Sequence, residues 1–239
     1  MSFDLSSQIK LFSIPFAGGN ESSYSNFDDH FAQNGFQFET LTLPGRGSRV
    51  HEPFCTDLET LAKDVEDQLR EKISGPWALF GHSLGGHLAY LVARNFFRAG
   101  EYLPSHLFLS SCEPRTLPPK IRGLHLLPDF MLLQSVIQMG GLSQDDLKNP
   151  SLSSYLLAIL RADFKVLSDS PVSILEILPI PTTCLLGTKD ILSKEQASRW
   201  SDFTSGTWTL HQCPGDHFFI FQNSKLVCDL IIQELNSQL

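Results

Sequence analysis

The sequence lacks the positive charge that nucleic acids and anionic membranes attract. Its 239 residues carry 18 Lys and Arg against 26 Asp and Glu, a formal charge of −8. A polyanion would meet no basic footprint, so neither nucleic acid nor a membrane is an expected partner. Long apolar runs are missing as well, since no stretch reaches the roughly 18 residues of a spanning helix. Met1 to Lys10 is polar, includes Asp4 and has no basic region ahead of an apolar block, so a signal peptide is not expected. Cysteine is sparse. Cys55, Cys112, Cys184, Cys213 and Cys228 form no C-x-x-C and have no histidine at metal-ligand spacing. Their odd number does not make a full disulfide framework, and Cys112, Cys184 and Cys228 sit in apolar surroundings typical of reduced buried thiols. The expectations are a cytoplasmic chain, no metal and no redox cofactor. Internal repeats and low-complexity tracts are absent too. What is left is an ordinary globular composition, 42% hydrophobic and 18% charged. The length suits one domain, with room for an insertion.

Against that background one stretch carries chemistry. Trp77 to Phe80 is an apolar run, Gly81-His82-Ser83-Leu84-Gly85 fits G-x-S-x-G, and Leu84 to Phe97 is amphipathic. This is the pattern of a nucleophile elbow, a strand that turns sharply into a helix with a serine at the apex. The serine can stand proud of a sheet only on a tight, strained turn. Glycines two residues to either side remove the side chains that would clash there.

The flanking sequence alternates strands and helices. Strands are expected over 9–15, 36–43, 77–80, 106–109, 182–186 and 207–211. Helical patterning covers 22–33, and in the next helix Leu58, Leu61, Val65 and Leu69 recur at helical spacing. A last helix carries Leu226, Leu230 and Leu235 on its apolar side. Such alternation predicts an α/β fold with a mostly parallel sheet covered on both faces. Residues 113–181 break the pattern, because a plain crossover between parallel strands needs only about a dozen residues. Phe130, Leu133 and Ile137 mark one helix there, stopped by Gly140-Gly141. Asn149-Pro150 caps a second, with Leu152, Leu156, Ile159 and Phe164 on its apolar side. Residues 1–112 and 182–239 are therefore read as the core, and 113–181 as an inserted helical lid.

A serine nucleophile needs a base, and the base needs an acid to orient it. In an elbow fold the chain order is Ser, then Asp or Glu, then His. His217 lies in Pro214-Gly215-Asp216-His217-Phe218, the loop leaving the last strand at the end where open α/β sheets bind ligands. His211 reads instead as a half-buried strand residue, and His82 and His87 as packing residues of the elbow. Asp190 follows a buried strand across the Gly187 turn and is the expected acid. Asp216 is its rival, although a residue adjacent to His217 is better suited to bonding its own backbone. Two backbone N–H groups should stabilise an oxyanion. They are expected from Leu84 and from the small-residue loop Phe16-Ala17-Gly18-Gly19, with Ala17 first and Phe16 in reserve.

Several segments together resemble one family, the type II thioesterases of polyketide and nonribosomal peptide synthesis. Phe12-Ser13-Ile14-Pro15-Phe16-Ala17-Gly18-Gly19 resembles its opening motif, and Leu43-Pro44-Gly45-Arg46-Gly47 its L-P-G-R segment. Gly81 to Gly85 matches its elbow, Arg161-Ala162-Asp163-Phe164 a lid motif, and Gly215-Asp216-His217-Phe218-Phe219 its histidine motif. Gly86, where the family often has alanine, and Asn20 after the double glycine are small departures. The animal medium-chain thioesterase of fatty acid synthesis shares these motifs. The resemblance implies an α/β-hydrolase fold and removal of stalled or aberrant acyl groups from the phosphopantetheine arm of acyl and peptidyl carrier proteins. Ser83, Asp190 and His217 would form the triad, and the enzyme would act as a monomer without a cofactor. A carboxylester hydrolase and a non-catalytic carrier-binding module are the competing readings. Carrier proteins are usually acidic, as this chain is, so docking is expected at a local basic patch. Arg115, Lys120 and Arg122 are the candidates, with Arg46 and Arg49 as rivals.

Overall fold

The computed structural model describes residues 9–116, 123–170 and 175–237. Six strands form one sheet in the order β2-β1-β3-β4-β5-β6, and every pairing is parallel. They are β1 (Lys10–Ile14), β2 (Gln37–Thr40), β3 (Trp77–His82), β4 (Leu107–Ser110), β5 (Thr182–Gly187) and β6 (Trp208–Cys213). The inner strands β3, β4 and β5 are buried along their whole length, whereas the edge strands β2 and β6 are mostly half-exposed. This is why Gln37-Phe38-Glu39-Thr40 tolerates polar residues and Ala78-Leu79-Phe80 does not.

The helices are α1 (Ser25–Gln33), α2 (Leu58–Lys72), α3 (Leu84–Ala99), α4 (Asp129–Gln138), α5 (Pro150–Asp169), α6 (Lys194–Ser198), α7 (Phe219–Gln222) and α8 (Ser224–Asn236). One face of the sheet packs Phe12, Ile14 and Leu79 against α2 and α3. The other packs Leu11, Phe80 and Phe108 against α1 and α8. The core is thus two layers about a sheet, as strand alternation demands. In α2 the buried stripe is Leu58, Leu61, Val65 and Leu69, as the spacing predicts, and Asp57 caps it by accepting from the Thr60 N–H at 2.8 Å. In α5, Asn149 accepts from the N–H groups of Ser151 and Leu152, with Pro150 as the first helical residue.

Other expectations need correction. β2 stops at Thr40 instead of continuing to Leu43: Leu41 N–H still donates to the Ser13 carbonyl, but the next donor on the β1 side would be Pro15, which has no N–H to continue the ladder. In α8 the buried face is Val227, Cys228, Ile231, Ile232 and Leu235, and Leu226 is exposed. In α4 it is Leu132, Leu133 and Val136, while Phe130 is 67% exposed. In α5, Ile159, Leu160, Asp163 and Val166 turn inward, and Leu152 lies at the surface. Helices with apolar residues on several sides do not announce which side packs. The neighbouring elements choose.

The helical insertion between β4 and β5 is present, with its own small core of Leu132, Leu133, Val136 and Leu160. Leu178 and Ile180 belong to the main core, and Leu178 N–H donates to the Phe203 carbonyl at 3.0 Å. Among the described residues no helix is long and apolar enough to cross a membrane.

Candidate active site

The elbow is built as its glycines require. β3 runs straight into α3, and Ser83 at the junction has φ 55° and ψ −115°, a conformation costly for any residue with a side chain. A Cβ on Gly81 would lie 2.0 Å from the Gly85 carbonyl oxygen, and one on Gly85 would lie 2.1 Å from that of Ile14. Only glycine permits this crossing of backbones. At Gly86 a Cβ would meet the Cys112 sulfur at 2.4 Å, so this chain has filled with cysteine the space an alanine methyl would need. The parallel register pairs Ile14 with Gly81, which brings the loop carrying Phe16 and Ala17 alongside the elbow.

The carboxylate that reaches His217 is Asp190. Its Oδ1 lies 3.0 Å from His217 Nδ1, and its side chain is wholly shielded from solvent. The two loops are joined by their backbones: Thr188 N–H donates to the Cys213 carbonyl and Lys189 N–H to that of Gly215, both at 2.8 Å. Gly187 permits that approach, since a Cβ there would stand 2.2 Å from the Asp216 carbonyl oxygen. Burial alone would raise the Asp190 carboxyl. Hydrogen bonds from His217, Ser111 and the Leu192 N–H, with the charge of His217, hold it below the usual aspartate value. Asp216 is occupied locally, accepting from the Phe218 N–H at 2.9 Å and from Gln222. His211 lies in β6 and contacts Glu234 at 2.8 Å.

Ser83 and His217 line one cavity of about 210 Å³. Its roof comes from the insertion, through Leu124, Met139, Phe164 and Leu167. His217 is only 6% exposed. Because Nδ1 faces Asp190, Nε2 is the nitrogen left to exchange a proton. His82 is a packing residue, as expected: it is buried, its Nδ1 meets the Ser110 hydroxyl at 2.8 Å, and its ring stands 5.2 Å from that of His217. Burial and then the charge of His217 push its imidazole well below the usual range, so it stays neutral. His87 departs from expectation by lining the cavity.

A family model described as thioesterase domain matches residues 9–235. The chain belongs to the thioesterase family. The gramicidin S biosynthesis protein GrsT of Aneurinibacillus migulanus is 28% identical over 229 residues, covering 95% of this chain and 89% of that protein. The human (Homo sapiens) medium-chain S-acyl fatty acid synthase thioesterase is 30% identical over 237 residues, covering 94% and 86%. Among solved structures, the type II thioesterase BorB from the borrelidin biosynthetic cluster is similar with a TM-score of 0.85 at 27% identity, covering 95% of this chain and 93% of that one. This thioesterase therefore acts as a hydrolase of thioesters on an α/β-hydrolase framework.

Its family motifs acquire distinct structural roles. Arg46 of L-P-G-R and Asp163 of the lid motif form a two-pronged ion pair at 2.6 and 2.7 Å, with side chains 1% and 2% exposed. The same Asp163 Oδ2 accepts from the Gly18 N–H at 2.8 Å. One carboxylate thereby ties the roof helix to the loop beside the elbow. Arg161 turns the other way and holds the insertion together, donating to the His125 and Leu127 carbonyls and pairing with Asp129.

The docking expectation is corrected for Arg115, which is 6% exposed, lines the cavity, and donates from Nη2 to the carbonyls of Leu167 and Ser170. Lys120 and Arg122 lie outside the described residues. The rival Arg46 is buried, and Arg49 is engaged by Glu52 and Asp64. A carrier would not find Arg115, Arg46 or Arg49 free.

Sequence reasoning missed Ser111. It stands at the carboxyl end of β4 with φ 47°, and with Ser83 it makes the pair of non-glycine residues at positive φ among the described residues. Its hydroxyl donates to Asp190 Oδ2 at 2.5 Å. The signal available was a serine following a buried strand at the end where this fold keeps its chemistry. Ser111→Ala removes a charge-assisted bond that orients Asp190. The expected outcome is a kcat lower by roughly ten- to a hundredfold with KM little changed, since such bonds are worth about 1.5–3 kcal/mol. Steady-state kinetics on an acyl thioester checks it, and an unchanged kcat would remove Ser111 from the machinery.

Proposed function

We propose that the protein clears stalled or aberrant acyl groups from the phosphopantetheine arm of carrier proteins in polyketide or nonribosomal peptide synthesis. The observation that carries the chemistry is the convergence of Ser83 on its strained turn and the Asp190-held His217 on one cavity. The carrier as partner is supported by the whole-length likeness to a gramicidin S biosynthesis protein and to a type II thioesterase.

In this reading Ser83 Oγ attacks the thioester carbonyl carbon as its proton passes to His217 Nε2. The oxyanion forms opposite the N–H groups of Leu84 and Ala17. Collapse breaks the C–S bond, and the departing thiolate takes the proton from His217. Water, deprotonated by the same histidine, then attacks the acyl-serine, releasing the acid and restoring Ser83. Asp190 holds the imidazole tautomer throughout. No step calls for a metal or a redox group.

A second reading, a medium-chain thioesterase of fatty acid synthesis, has the human relative in its favour. A panel of carriers loaded with acyl groups of two to twelve carbons separates the two. Highest kcat/KM at the short end is expected, and a maximum at eight to twelve carbons would transfer the assignment. A plain ester of the preferred acyl group completes the panel. Faster cleavage of the ester than of the carrier thioester would make the protein a carboxylester hydrolase.

A further inference from the structure

Most lysines of this acidic chain are already matched. Among the described residues, Lys10, Lys63, Lys72, Lys148, Lys165 and Lys225 each hold a carboxylate at 2.5–3.0 Å. Lys189 and Lys194 hold none. Both are exposed, and they bracket the loop that leaves β5 with Asp190, the carboxylate on His217. Between them stands Ile191, which is 54% exposed and also lines the cavity of Ser83 and His217. A side chain that does both marks the rim of the opening. A single exposed apolar residue needs no explanation by itself. Its place at the rim, between two unpaired cations, does.

The backbone from which these side chains issue is pinned to the site. Lys189 N–H donates to the Gly215 carbonyl at 2.8 Å, and Asp190 Oδ1 accepts from the Leu192 N–H at 3.1 Å. Ser193 and Gln196 then close a reciprocal cap at the start of α6, at 3.1 and 3.2 Å. The acid nearest in the chain, Glu195, bonds its own N–H and the Ser193 hydroxyl, and feels Lys194 only as a nearby charge. Arg199 is engaged by the Thr116 hydroxyl and lies 4.0 Å from Glu113.

We propose that Lys189, Ile191 and Lys194 form the surface on which an acidic carrier domain docks, the lysines meeting its carboxylates and Ile191 an apolar residue beside the attachment of its arm. With a net charge of −8 this chain repels an acidic partner at a distance, so a productive encounter depends on a local positive site. Docking at this rim leads the arm past Ile191 towards Ser83. The proposal rests on the carrier-thioesterase reading given above.

The test is kcat/KM of the full chain on one acyl group presented in three ways: on an acidic carrier protein, on coenzyme A and on N-acetylcysteamine. Raising the salt should slow wild type on the carrier several-fold and leave the N-acetylcysteamine thioester nearly unaffected. Lys189→Glu, Lys194→Glu together should lower the carrier rate by roughly tenfold or more relative to the N-acetylcysteamine rate. Lys194→Glu alone, farther from Asp190, should give part of that fall. Lys63→Glu, Lys225→Glu makes the same change of net charge on α2 and α8 and should give little of it. An unchanged carrier rate in the first double variant, or an equal fall in the second, would overturn the surface. So would an equal loss on all three substrates, which would place the lysines with the Asp190 loop, or a loss on coenzyme A as large as on the carrier, which would make the arm's phosphate the ligand. A wild type that cleaves the N-acetylcysteamine thioester faster than the carrier thioester would overturn the carrier reading itself.

Discussion

Ser83→Ala is expected to lower kcat on a carrier-bound acyl thioester by about 10⁴-fold or more, with the melting temperature nearly unchanged. In the proposed mechanism the hydroxyl supplies the attacking atom, and no other hydroxyl stands on the strained turn between β3 and α3. Alanine accepts the same positive φ as poorly as serine does, so the turn gains and loses little. His217→Ala should cost a comparable factor. The double substitution should be hardly worse than either single one, because serine and histidine act as one unit in the proton transfer. Labelling by a fluorophosphonate offers an independent readout, present in wild type and lost in Ser83→Ala. A wild-type protein that resists labelling would point to a non-catalytic carrier-binding module. Rates in the two variants that multiply independently would break the assigned coupling of Ser83 and His217.

Asp163→Ala should produce the largest loss of stability, about 3–5 kcal/mol, because it strands a buried charge. Arg46 is 1% exposed and directs two nitrogens at that carboxylate. The Gly18 N–H loses its acceptor as well. For a chain of this length each kcal/mol corresponds to about 2–4 °C in melting temperature, so the drop should be unmistakable in a thermal scan. The double variant Asp163→Ala, Arg46→Met should recover much of the loss, since removing both charges leaves none uncompensated. A single variant within about 1 kcal/mol of wild type would show that Arg46 finds another partner. Because Gly18 adjoins Ala17, the single variant should also lose kcat beyond its loss of fold, and the double variant should not recover that part.

Much of the candidate site was legible in the sequence. Ser83, Asp190 and His217 stand in the order an elbow fold requires, each just after a strand, and the structure brings them to one end of the sheet. Asp216, the rival acid, accepts within its own turn from the Phe218 N–H. Ser111 was not legible, because its contribution depends on a hydroxyl crossing from β4 to the Asp190 loop 79 residues later. Arg115 was misread for a related reason. An arginine beside Lys120 and Arg122 looks like part of a solvated basic patch until the carbonyls at the end of α5 are seen to hold it.

The amino-acid sequence by itself determined the strand–helix alternation, the α2 stripe, the α5 cap and the elbow. Each of these is a local requirement, met by residues within a few positions of one another. It also placed Ser83, Asp190 and His217 in order along the chain. Tertiary structure alone decided which faces of α4, α5 and α8 turn inward, since apolar residues on several sides leave that choice to the packing partner. It decided equally that Asp163 would bridge Arg46 and Gly18, and that His87 would face the cavity. These are contacts between residues distant in the chain, and no local pattern encodes the direction in which a side chain finds its partner.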